Sequence, residues 1–111
     1  MATFSNEAWD AGRAAKGKTA GEYCAICLID ANPKGAEKIK AKCNLPLQYT
    51  SGGPYVRMAI RNAMGRIFQV TGAPADVKRK AARRLITLAR QGGIAVGSAS
   101  LYRLAGMKQP R

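Results

Sequence analysis

With 111 residues, 47% of them hydrophobic by type, the chain is long enough for one folded domain and too apolar for a disordered one. No apolar run approaches the roughly 20 residues that a membrane span needs, and no apolar leader opens the chain, so a soluble, intracellular protein away from membranes is expected. The formal net charge of +13 excludes a neutral surface and points to an anionic partner.

The charge is unevenly placed. Residues 1–53 carry seven Lys/Arg against five Asp/Glu, whereas residues 54–111 carry twelve against the single Asp76. Nine of those twelve are Arg, whose planar fork matches phosphate oxygens in a way a lysine ammonium does not. A single domain over 1–111 is expected, with a mixed-charge part at 1–53, a strongly basic helical part at 54–106 and a tail at 107–111.

In chain order, Ser5 is a candidate N-cap for a short helix to Ala11 bearing Trp9. The Gly-punctuated "GRAAKGK" then connects to Thr19, which with Glu22 forms a capping-box pattern. A helix from about Ala20 to Ile29 is predicted, with Tyr23, Ile26 and Cys27 on one face and the turn residues "DANPKG" ending it. Residues 44–54 read as irregular or extended. Pro54 suits the first turn of a helix that continues through Val56, Ile60, Ala63, Met64 and Ile67 to about Val70. Pro74 opens the next, whose apolar face is Val77, Ala81, Leu85 and Leu88, and Gly92-Gly93 stops it. Ser98 caps a last helix through Leu101, Tyr102 and Leu104 to Gly106. The predicted fold class is all-α, four to five short helices with irregular connections.

The three cysteines fall between Glu22 and Pro46. Their odd number and the lack of a secretory segment predict free thiols. A zinc site would have to use Cys24, Cys27, Cys43 and Asp30, because the chain has no histidine; a paired CxxC is missing. A thioredoxin-like redox pair lacks its βαβ setting. Small buried apolar groups are the plainer reading, with no metal and no cofactor. Catalysis is not expected either: there is no histidine for proton transfer, no close carboxylate pair and no phosphate-binding glycine loop.

The strongest functional signal is "DVKRKAARRLITLARQGG". On a helix, Arg79, Arg83 and Arg90 share one azimuth with Lys80 and Arg84 beside them, and Lys78 adjoins this run. Arg57 and Arg61, one turn apart on the preceding helix, extend the patch, and Arg103 adds a cation near the C-terminus. Few aromatics interleave with these charges, so salt-sensitive phosphate-backbone contact is expected over base stacking. The partner classes are nucleic acid, DNA before RNA, or an acidic protein; a homo-oligomer is also among the expected assemblies. A second reading is a helix-turn-helix regulator over residues 89–105, with Ala89 and Gly93 in the usual spacing and Leu101-Tyr102-Arg103 on the recognition helix. Its "IAVGSAS" connection is about two residues longer than the usual turn.

Several segments together resemble a small domain of unknown activity from tailed-phage and prophage head-morphogenesis regions, often near or fused to prohead proteases. They are "AWD" at Ala8–Asp10, "CLID" at Cys27–Asp30, Leu45-Pro46, "GGP" with "VRMAIRNAMGRI" from Gly52, and "KRKAARRLITLARQGGI" ending at Ile94. The family's Lys before the Leu-Pro pair is Asn44 here. The resemblance implies a capsid-associated, virion-assembly role in a bacterial host's cytoplasm or in the virion, with an acidic phage head protein as the protein partner. It supplies no catalytic residues.

Overall fold

Side-chain caps set three of the five helix starts in the computed structural model, which describes residues 2–110. In α1 (Ala11–Ala15), Asp10 Oδ1 accepts the Arg13 N–H at 3.2 Å. In α2 (Ala20–Ile26), Thr19 Oγ1 accepts the Glu22 N–H at 3.2 Å and Glu22 Oε1 accepts the Thr19 N–H at 2.9 Å, the reciprocal box the sequence predicts. The bond from the Thr19 backbone, above all, holds the Glu22 carboxyl below its usual range. Two helices begin without a side-chain cap: α3 (Arg57–Arg66) and α4 (Ala75–Gln91), the latter directly after Pro74. In α5 (Ala99–Ala105), Ser98 Oγ accepts the Leu101 N–H at 3.1 Å, and Gly106 ends the helix at φ 65°, where a side chain would be strained.

The fold is α+β, which corrects the all-α expectation. Among the described residues, four short strands form two two-stranded sheets. β1 (Phe4–Ser5) pairs parallel with β4 (Tyr55–Val56), Phe4 opposite Tyr55. This pairing overturns two expectations at once. Ser5 is drawn into a strand instead of capping a helix, so the first helix starts at Ala11. Pro54 does not open α3, because Tyr55 and Val56 stay extended to meet β1 and the helix begins at Arg57.

The second sheet pairs β2 (Cys27–Asp30) antiparallel with β3 (Cys43–Pro46), with Ile29 opposite Asn44 and Asp30 opposite Cys43. The helix expected to reach Ile29 therefore stops at Ile26. Cys27, Leu28 and Ile29 are all buried, and an extended backbone sends alternate side chains to the two faces, which one helical stripe would not do. Leu45 within β3 has a positive φ of 65°, in a region leucine seldom occupies.

The core gathers around α4. Its buried residues are Ala81, Ala82, Leu85, Ile86, Leu88 and Ala89, and the three alanines allow close approach by α3, β2 and α5, all of which pack on it. Leu28 and Ile29 from β2, Leu47, Val56, Ile60, Ile67 and Leu101 complete one continuous cluster. Residues from both sides of position 54 share it. The radius of gyration, 13.5 Å, is near the value of about 13 Å for a compact chain of about 100 residues. A small separate cluster holds Cys24, Cys27 and Cys43 with Tyr23 packed against it. Among the described residues no helix is long and apolar enough to cross a membrane.

Candidate nucleic-acid interface

The buried stripe of α4 leaves its other side to cations. At about 100° per residue, Arg79, Arg83 and Arg90 fall within about 40° of one another, and Lys80 and Arg84 form a second row. All five are exposed. Lys78 stands apart from them: it shares the azimuth of Ala82, Leu85 and Ala89 and is half-buried.

What holds these guanidinium groups was not legible in the sequence. Arg83 Nε donates to Ala105 O at 2.6 Å, using a carbonyl left open at the end of α5. An ideal Cβ at Gly106 would lie 3.3 Å from Arg83 and 3.6 Å from the Arg79 stem, so both side chains lie against that glycine. Arg90 NH2 donates to the Tyr102 hydroxyl at 2.8 Å with its guanidinium carbon 5.4 Å from the ring centroid. Arg84 NH2 donates to the Tyr55 hydroxyl at 3.1 Å. Each anchor is a neutral acceptor. The single ion pair among the described residues is Lys38 with Asp30; Asp76, exposed in the first turn of α4, is the one carboxylate on this helix and makes no ion pair with its cations.

The remaining candidates divide. Arg57 is turned inward: Nε donates to Gly92 O at 2.7 Å, NH1 to Asn6 Oδ1 at 2.9 Å, and the guanidinium sits 5.6 Å from the Phe4 ring centroid. Arg61 is exposed on α3, beside the exposed Met58. Arg103 is exposed on α5, but Leu101 and Tyr102 before it are buried. The connection from α4 to α5 runs over residues 92–98, and the inward-facing Tyr102 is held by Arg90. Only Arg103 of the expected recognition triplet is thus exposed to solvent.

The cysteines differ from the free-thiol expectation. Cys24 and Cys43 are joined in a disulfide with Cα atoms 5.3 Å apart, and Cys27 is the free, buried thiol. The β2–β3 ladder brings Cys43 beside the last turn of α2, within the usual bridging distance. Burial pushes the Cys27 thiol up to about 11 and the Tyr23 phenol up to about 12. Cys24 Sγ, Cys43 Sγ and an Asp30 oxygen lie within 4.8 Å of one another, and the Cys27 thiol is outside that group. Burial raises the Asp30 carboxyl, but hydrogen bonds from Lys38 and Asn32 outweigh it and hold the group below its usual range.

A cavity of about 620 Å³ opens elsewhere, between Trp9, the Asn44-Leu45-Pro46 segment, and Ala59, Asn62 and Arg66 of α3. Its volume is in the range of small-molecule pockets. Asp10, its one carboxylate, caps α1.

Comparison with known proteins finds no matching family model, no matching curated protein and no matching solved structure. The likeness to the phage head-morphogenesis domain therefore rests on the quoted segments alone.

Proposed function

We propose that the protein is a non-enzymatic module that grips the phosphate backbone of nucleic acid, duplex DNA before RNA, through the exposed face of α4. The observation that carries this reading is a helix face of five exposed cations, none of them ion-paired among the described residues and only Asp76 on the same helix to offset them. Three of its arginines are held by neutral acceptors. A guanidinium fixed by one bond keeps its charge and its remaining N–H donors, and it loses less rotamer freedom when a phosphate arrives. Sparse aromatics on this face favour backbone contact over base stacking. The phage-type resemblance supplies the setting, head assembly or packaging, where an acidic head component is the other anionic partner.

Arg79 and Lys80 make no hydrogen bond to a protein group among the described residues, so changing them tests the surface with the least disturbance to the fold. The Arg79→Gln/Lys80→Gln double variant should fold as well as the parent, because Gln is nearly as good a helix former. Fluorescence anisotropy with two unrelated duplexes at two salt concentrations should show weaker binding, equally for both. The slope of log K against log salt should shrink by about 0.9 for each phosphate no longer neutralised. No duplex binding by the parent at low salt would overturn the reading and leave an acidic protein as the partner to seek.

A further inference from the structure

The end of β2, the last turn of α2 and the start of β3 bring two sulfurs and a carboxylate to one point. Cys24 Sγ, Cys43 Sγ and an Asp30 oxygen are mutually within 4.8 Å. One amide organises all three. Asn32 Nδ2 donates to Asp30 Oδ1 at 2.8 Å and to Cys43 Sγ at 3.3 Å, with a longer contact of 3.7 Å to Cys24 Sγ. Asn32 is itself held from across the loop: the Ile39 N–H donates to its Oδ1 at 2.9 Å, and its Nδ2 reaches Ile39 O at 3.3 Å. Lys38 pairs with the other Asp30 oxygen.

A disulfide alone has no need of a carboxylate beside it or of an amide donor aimed at its sulfurs. A metal centre uses both: the carboxylate as a ligand, and the amide to orient ligands and soften thiolate charge. We propose that the Cys24–Cys43 bond is reducible and that its reduced form is a zinc site ligated by Cys24, Cys43 and Asp30. A dithiol reductant supplies two electrons and two protons; the S–S bond opens to two thiols while the reductant becomes a disulfide. Zn²⁺ then binds both sulfurs as thiolates, releasing the two thiol protons, and takes one Asp30 oxygen, with water in the fourth tetrahedral position.

The geometry and charge suit this step. Two Zn–S bonds of about 2.3 Å at a tetrahedral angle hold sulfurs about 3.8 Å apart, so the pair must separate by a side-chain rotation. The loop that must follow, residues 33–42, is exposed throughout, so it can shift without opening the main core. Two thiolates and a carboxylate outweigh Zn²⁺ by one negative charge, and the Lys38 ammonium stands beside Asp30 to balance it. Mixed thiolate and carboxylate donors select a borderline-soft ion such as Zn²⁺ over Mg²⁺ or Ca²⁺.

The test compares oxidised and reduced full-length protein, each stripped of metal and shown to be folded by circular dichroism. Co²⁺ serves as the spectroscopic probe and Zn²⁺ as its competitor. The reduced protein should bind one Co²⁺ with a thiolate charge-transfer band that Zn²⁺ abolishes, and the oxidised protein should show no such band. Cys27→Ser should retain the band, and Asp30→Asn should weaken Zn²⁺ binding by about tenfold or more. A folded, reduced parent without the band would overturn the proposal whether or not the variants fold. So would an equal band in the oxidised protein, or loss of binding on Cys27→Ser.

Discussion

Arg57 ties three parts of the chain with one side chain. Its Nε bonds the carbonyl of Gly92 at the end of α4, its NH1 bonds Asn6, and its plane lies near Phe4. A lysine has the charge but not the fork, and a single ammonium cannot reach all three. Arg57→Lys should therefore lower stability by about 1–2 kcal/mol in urea denaturation. It should leave the salt slope of DNA binding unchanged. Unchanged stability with a smaller slope would make Arg57 a phosphate ligand instead of a tether. Sequence position alone could not separate these roles. Arg57 and Arg61 sit one helical turn apart and look alike on paper, yet one is turned into the fold and the other is exposed. The difference arises because Asn6 and Gly92, 51 and 35 residues away, arrive beside Arg57 only in the folded chain.

The elements that could be read from the sequence carry their own boundary signals. Pro74 before α4, Gly92 after it, Ser98 before α5 and Gly106 after it all act within a residue or two, and the structure uses each. The strands carry no such signals. β1 and β4 are two residues each, too short for alternation to register, and β2 follows α2 with no breaker between them. Only the partner strand, distant in sequence, decides that those backbones are extended. The docking of β1 depends on a close approach: an ideal Cβ on Gly92 would stand 2.8 and 2.9 Å from two carbons of the Phe4 ring. Gly92→Ala should displace that ring and lower stability by about 1–3 kcal/mol. The check is a double-mutant cycle. With Phe4→Ala in place, Gly92→Ala should have little further effect; fully additive losses would mean that the two residues do not press on each other.

At the scale of the whole molecule, the +13 charge acts on stability as well as on binding. The protein measures 42 by 31 by 24 Å, and at about 0.01 M salt the screening length is about 30 Å, so most of its cations repel one another. Raising salt from about 10 to about 300 mM should lift the thermal midpoint by several degrees as screening shortens. A short DNA duplex at low salt should lift it too, by binding the folded state. A midpoint that is flat or falling over that salt range would show that self-repulsion does not strain the fold.

The parallel pairing of Phe4 with Tyr55 also fixes an order of events in time. During synthesis the first strand leaves the ribosome long before its partner exists, and Gly92, on which Phe4 rests, comes later still. Closing a loop of about fifty residues for a two-residue ladder returns little until α3 and α4 have met. Although made before the elements it docks on, β1 is therefore among the last to settle. Arg57, reaching Asn6 on one side and Gly92 on the other, is the latch that closes once both have arrived.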